Sequence, residues 1–462
     1  MHFGWMALAV MGCLPGGGCA RDLHAARILD DLRRDGLLVE VGDEPRPAAA
    51  PAVIMDDVLP VTGDVMLAQL LDAADRLNPT VAAARARIGI AGAETWQAGV
   101  LENPTLELES ENIRPSDGGF GVSETTVGIV QSLTMGGRRT AAIATGNART
   151  RARRWDYAQS RREVRGRIRR EATEIVFLRD STALHHDLLE LAGRTSEIAS
   201  RRFGERAAPE SEAIRARIEM HQLGLGLERL DAEMREAEER LAALLGGHRV
   251  EAGRVRLEPN DVDARFAAAS IDELKTLVRD RHPGVRAAQS EVEAAERAVE
   301  EQRARQTPDI TARLAWGVDH DDDEQFLEAG LGVPLTIFDR NDSALLVARF
   351  DVIRARGEAR AVEDDLCSRA AQAHVRYTSA SGRLAVFETQ ILDSARRSFD
   401  QTREGYQAGR LPFLDLLDAQ RTLTEAALSH LELARVRNLA LADLYAILGD
   451  DPGTTTNNGA EP

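Results

Sequence analysis

The sequence predicts a mainly α-helical fold with a small β part, built as two tandem copies of one unit: helix, β-hairpin, very long helix, turn, helix. Three observations predict it. Paired features recur at a nearly constant spacing, long helix-forming stretches run without proline, and four short segments alternate apolar with polar residues. Aromatic residues make up only 4% of the 462 residues and charged residues 29%. Ala, Leu, Arg and Glu dominate, the composition of long helices rather than of one large core. The net charge of −17 argues against nucleic acid as a partner, because phosphate binding needs a basic surface.

The repeat comes first. Leu241-Ala242-Ala243-Leu244-Leu245-Gly246 resembles Leu444-Tyr445-Ala446-Ile447-Leu448-Gly449, 203 residues later. Pro209 and Pro412 share that spacing, as do Phe203 and Tyr406. Leu133-Thr134 answers Leu335-Thr336, and Asn78-Pro79 answers His282-Pro283. Five pairs in one order point to a duplication. It divides the chain into a leader (1–18), an N-terminal segment (19–63), a first copy (64–250, hairpin at 104–133), a second copy (264–449, hairpin at 308–337) and a disordered tail (450–462).

The apolar run at residues 3–14 is too short to span a bilayer. Gly16, Gly17 and Gly18 follow it, and then Cys19. This reads as a signal peptide. Its end resembles a bacterial lipobox, which makes Cys19 the lipidated mature N-terminus and residues 19–63 a lipid-anchored extended segment. Cys13 is a poorer candidate, and a plain signal peptide with an incidental cysteine is the alternative. With Cys19 lipidated, Cys367 is left without a disulfide partner. No later stretch has the roughly 20 apolar residues of a membrane helix, so entry into a membrane requires a β-barrel.

Each copy opens with a helix, at about residues 65–101 and 271–306. Strand one, about 104–112, sets Leu106 and Leu108 on one face and Thr105, Glu107, Glu109 and Glu111 on the other. Strand two, about 124–133, alternates less clearly. Strand three sets Ile310, Ala312, Leu314 and Trp316 against Thr311 and Arg313. Strand four aligns Leu327, Ala329, Leu331, Val333 and Leu335. A period of two with one apolar face marks a barrel strand. The hairpin loops are polar. The one at residues 319–324, Asp-His-Asp-Asp-Asp-Glu, could be read as a metal site, but it reads better as an exposed loop because it lacks an EF-hand spacing.

Long helices follow, at about 138–202 and 342–405, with no interior proline to break them. At ~1.5 Å per residue each is a rod of about 95 Å. Turns with Pro209 and Pro412 lead into last helices that end at Gly246 and Gly449, where glycine suits a helix C-terminus. In copy one the seam Ala213, Ala216, Met220, Leu223, Leu227, Leu230, Met234, Ala237, Leu241 and Leu244 alternates three- and four-residue steps and packs along another helix. His185, His186 and His430 read as helix-surface residues. Four strands cannot close a useful barrel, and lipid does not tolerate open edges. Membrane spanning therefore demands oligomerisation, and three copies give twelve strands. The glutamates of strand one then face the lumen.

This order of elements behind a signal sequence resembles the TolC-like outer-membrane factor family over nearly the whole mature chain. The motifs that carry the likeness are Glu102-Asn103-Pro104-Thr105-Leu106, Gln131-Ser132-Leu133-Thr134-Met135-Gly136-Gly137-Arg138-Arg139, and Tyr406-x-x-Gly409-Arg410-Leu411-Pro412-x-x-Asp415-Leu416-Leu417-Asp418-Ala419-Gln420. The first two are most similar to the heavy-metal, CzcC- and CusC-like branch. The resemblance implies a homotrimer in the outer membrane of a Gram-negative bacterium, with a twelve-stranded barrel above a helical tunnel. It implies two protein partners, a periplasmic adaptor and an inner-membrane RND-type pump that supplies the energy. It implies no catalytic activity and no cofactor.

By the same resemblance, Asp415 and Asp418 match gate carboxylates at the periplasmic tip, and Tyr406 matches a residue that ties helices in the closed state. Their spacing of three puts the two aspartates on one helix face, and a carboxylate ring favours cations. The alternative is an acidic first turn that stabilises a helix N-terminus. Copy one has Arg206, Glu212 and Arg215 where copy two has Gly409, Asp415 and Asp418. Phe203, Pro209, Glu212, Gly409, Arg410, Leu411 and Pro412 form the two turns expected to meet the adaptor. The function expected is passive efflux of heavy-metal cations. The alternatives are the same channel serving drugs or secreted proteins, and a structural coiled-coil envelope protein. No nucleophile–base motif or phosphate loop points to an enzyme.

Overall fold

The computed structural model describes residues 63–111, 124–257, 268–320 and 324–449. The signal segment, Cys19, both hairpin loop centres and the C-terminal tail lie outside the described residues. The first described element is a short strand β1 (Val65–Met66), followed by α1 (Leu67–Leu77) and α2 (Pro79–Ala98). The hairpin β2 (Thr105–Glu111) and β3 (Glu124–Leu133) leads to α3 (Arg138–Gly204) and α4 (Glu210–Leu244). Strand β4 (Val255–Arg256) pairs in parallel with β1, so the start of the first copy is tied to the link between copies. Copy two repeats the order: α5 (Ile271–Arg281), α6 (Pro283–Ala304), β5 (Ile310–Asp319), β6 (Glu324–Gly332), α7 (Asp342–Val386), a single π-turn (Phe387–Ile391), α8 (Leu392–Gln407) and α9 (Phe413–Leu448).

The opening helix of each copy proves to be two helices. Proline disfavours a helical conformation in the residue before it, and Asn78 and His282 are both extended, with ψ of 123° and 125°. Pro79 and Pro283 then start the next helix at the position where a missing N–H costs nothing. Asn78 caps α2 by accepting from Thr80 N at 2.9 Å, and His282 Nδ1 does the same for α6 from Gly284 N at 3.0 Å. Strand β6 ends at Gly332, short of Val333 and Leu335, because Pro334 cannot donate to a ladder.

Helix α3 is an unbroken 67-residue rod, about 100 Å long at 1.5 Å per residue. Its partner in copy two carries the π-turn instead, the kind of irregularity that long helices concentrate at functional positions. Alanines 148, 152, 172, 192 and 199 of α3 are buried, and such small residues let helix axes approach closely. Gly166 does so most: a Cβ there would lie 2.6 Å from Ala446 Cβ of α9. The expected seam of α4 is buried or half-buried throughout and packs on α3. His185 departs from expectation. It is buried, with Nδ1 2.9 Å from Ser181 O, in a notch where a side chain on Gly226 would crowd it at 3.0 Å. His186 is exposed and His430 half-buried.

The two hairpins join into one antiparallel sheet of order β2-β3-β5-β6. Asp309 pins the junction beneath it, accepting from Met135 N at 3.1 Å and pairing with Arg138 at 2.7 Å. No helix among the described residues is long and apolar enough to cross a membrane.

Candidate functional site: the two-faced sheet and the helical tip

Residues directly paired in an antiparallel sheet share a face, so the register sorts every strand residue. One face holds Leu106, Leu108, Val127, Ile129, Leu314, Trp316, Leu327 and Leu331, and it carries no charged residue. These side chains are exposed, Leu108 by 72% and Leu331 by 79%. Uncovered apolar area of this extent is unfavourable in water. The opposite face holds Glu107, Glu109, Glu111, Glu124, Asp319, Glu324, Glu328 and Arg313. The glutamates of strand one therefore share the acidic face, as their alternation predicts. Strand two resolves as well: Val127 and Ile129 face the apolar side, while Thr126 and Gly128 face the other.

Within the acidic face the charges form two levels. At the loop end, Glu111, Glu124, Asp319 and Glu324 stand in one cross-strand row, one carboxylate on each strand. Like charges directly opposite one another destabilise a sheet, so packing alone does not account for the row. Deeper in, Arg313 reaches Glu107 at 3.2 Å, Glu328 at 3.3 Å, and Glu109. Among the described residues, the outer strands β2 and β6 have no partner on their far sides. Of the loop at residues 319–324, only Asp319, His320 and Glu324 are described. No group of three His, Cys, Asp or Glu able to hold a metal occurs among the described residues.

The other end of the molecule is the pair of turns between long and last helices. Gly409 has φ +68° and Arg206 has φ +60°, so the two copies use the same left-handed position. Glycine adopts it freely and arginine at a cost of about 1 kcal/mol. Leu411 folds back on Gly405, where a Cβ would lie 2.5 Å from Leu411 Cδ1. Beneath the turns, Phe399, Tyr406, Phe413, Leu416 and Leu417 of copy two form one apolar cluster with Ala199 and Ala216 of copy one.

Tyr406 is the centre of that cluster. It is 1% exposed, its ring lies 5.7 Å from that of Phe413, and the Arg202 guanidinium sits 4.4 Å above it. Its hydroxyl donates to Glu212 Oε2 at 2.9 Å, and Arg202 donates to its carbonyl. Burial, foremost, and the Glu212 contact push the phenol up to about 12, against an opposing pull from Arg202. Two residues predicted for different roles, Tyr406 and Glu212, thus meet, and they bind the two copies together. About two turns further along α4, Glu219 pairs with Arg421 of α9 at 2.9 Å.

Asp415 and Asp418 are exposed on α9, on the side away from buried Phe413, Leu416 and Leu417. Asp415 also lies in the first turn, as the helix-stabilising alternative requires. Phe203, Pro209, Gly409, Arg410, Leu411 and Pro412 are exposed at the turns, and Glu212 is half-buried. Sequence reasoning missed Arg202 and the Arg421–Glu219 pair. Both act across the two copies, and no local spacing announces such a contact.

The comparisons with known proteins agree with this architecture. The family described as outer membrane efflux protein matches residues 70–247 and 274–450, once for each copy. The chain is 27% identical over 392 residues to the cobalt-zinc-cadmium resistance protein CzcC of Cupriavidus metallidurans, covering 84% of this chain and 90% of that one. It is 28% identical over 419 residues to the nickel-cobalt-cadmium resistance protein NccC of Alcaligenes xylosoxydans xylosoxydans, covering 86% and 90%. The solved structure of CusC, studied for transmembrane channel formation, superposes with a TM-score of 0.71 at 16% identity, covering 83% of this chain and 92% of that one.

Proposed function

The chain belongs to the outer membrane efflux protein family, and we propose that three copies of it form the exit duct through which a tripartite pump expels heavy-metal cations. One observation carries the reading: among the described residues, a four-stranded sheet has an uncharged apolar face, an acidic opposite face and two unpaired edges. Lipid accepts the first face, an aqueous lumen accepts the second, and β6 of one chain closes on β2 of the next. Twelve strands then enclose the pore, and the loop-end row becomes a ring of carboxylates at its mouth. Such rings favour cations.

The names of CzcC and NccC support heavy-metal cations as the cargo. The duct adds no chemistry of its own; an inner-membrane pump of the RND type selects the cargo and an adaptor docks at the exposed turns. Cys19 anchors the chain to the outer membrane by its lipid. At the tip, Asp415 and Asp418 of three subunits line the aperture, and the Tyr406–Glu212 bond holds it shut. The test is conductance of the purified trimer in planar bilayers. Replacing Asp415 and Asp418 with Ala lowers the preference for cations; an unchanged preference removes the gate assignment. A deletion strain loses tolerance to cobalt, zinc, cadmium or nickel; unchanged tolerance to all of them removes metals as the cargo.

A further inference from the structure

Arg313 is the one cation on the acidic face of the sheet among the described residues. Three carboxylates from two other strands converge on its guanidinium: Glu107 at 3.2 Å and Glu109 from β2, and Glu328 at 3.3 Å from β6. Strand β3 lies between β2 and β5, yet it offers no side chain in the row that links Glu107 to Ala315, because that position is Gly128. A Cβ there would already press on Ala315 Cβ at 3.0 Å. The sequence thus leaves a gap on β3 through which an arginine two strands away meets the glutamates of β2.

We propose that Arg313 is a built-in counter-ion that keeps the barrel from retaining the divalent cations it releases, an inference that rests on reading the sheet as the wall of a cation duct. Carboxylate oxygens are the preferred ligands of hard and borderline divalent ions. Three glutamates drawn to one point would form such a ligand set. The guanidinium occupies that point, neutralises part of the charge and engages the oxygens that a metal would take. A conducting pore must bind its ion weakly enough to let it leave. The loop-end row, spread over four strands, attracts cations; the deeper level, filled by Arg313, does not hold them.

The experiment is zinc block of potassium current through the purified trimer in planar bilayers. Zinc blocks Arg313→Gln at concentrations at least about tenfold below those needed for the wild type, because the three carboxylates then share an ion. Arg313→Lys keeps the charge and stays near the wild-type value. Arg313→Gln with Glu328→Gln, which removes one of the three ligands, returns only part of the way toward it. Equal zinc block in the wild type and in Arg313→Gln, both running as intact trimers, overturns the proposal. A trimer that carries no current even when Tyr406→Phe releases the tip overturns the duct reading instead. Should Arg313→Gln fail to assemble, Arg313→Gln with Glu109→Gln preserves the wild-type net charge. It leaves Glu107 and Glu328 uncompensated and still shows severalfold stronger zinc block; block at the wild-type level overturns the proposal.

Discussion

Replacing Tyr406 with Phe isolates one bond at the tip. The ring stays against Phe413 and under Arg202; only the hydroxyl that donates to Glu212 at 2.9 Å is lost. A hydrogen bond to a charged acceptor contributes about 1.5–3 kcal/mol, and leaving the acceptor without its donor adds desolvation to the loss. Each subunit therefore gives up about 2 kcal/mol of closed-state stability, a factor of about 30 in an equilibrium constant. Three subunits that open together multiply the effect. The assay is the open-time fraction of purified trimers in planar bilayers at neutral pH. Tyr406→Phe raises it by at least about tenfold, and Glu212→Gln added to Tyr406→Phe raises it little further, because both changes break the same bond. Resting conductance equal to the wild type, with the trimer intact, refutes the reasoning. So does full additivity of the two changes.

Three further outcomes follow from other parts of the structure. Burial, foremost, with Arg162 and Arg369 adding, lowers His282 to about 3. Its fold stabilises the neutral ring, so that stability is intact above pH about 6.5 and is lost as pH falls from there toward 3. His282→Asn, the residue of the equivalent cap at Asn78, flattens the fall in melting temperature between pH 7 and 4; an unchanged slope rejects the assignment. Gly166→Val collides with Ala446 and lowers the melting temperature of the trimer, at a cost of at least about 1–3 kcal/mol from overpacking. Leu108→Arg puts a charge on the apolar face at a cost of about 2–4 kcal/mol near mid-bilayer. It reduces the heat-sensitive trimer recovered in the outer-membrane fraction, whereas wild-type recovery contradicts a lipid-facing position.

The repeat, the long helices and three of the four strands are legible in the sequence because each depends on local periodicity. Leu106 and Leu108 alternate with Glu107 and Glu109 whatever the strand pairs with. The break at Asn78-Pro79 is missed, because the surrounding apolar pattern reads as one element; the proline, which ends one helix and begins the next, is the signal that marks it. What periodicity does not carry is register. Glu111 and Glu124 belong to one hairpin and Asp319 and Glu324 to the other, and only the pairing of β3 with β5 sets the four in one row. The Arg313 cluster is hidden for the same reason. His185 misleads because an imidazole reads as a surface group, while the space it fills is created by Gly226 in another helix.

The unpaired edges of β2 and β6 have a genetic consequence. In the proposed trimer no chain owns a complete wall; each supplies a third of one continuous hydrogen-bonded cylinder. A chain whose sheet is faulty then spoils every assembly it enters. With faulty and sound copies made in equal amounts and mixed at random, roughly one trimer in eight is wholly sound. Lesions at the strand edges are therefore dominant. Lesions that block export or folding before assembly are recessive, because those chains never meet a partner.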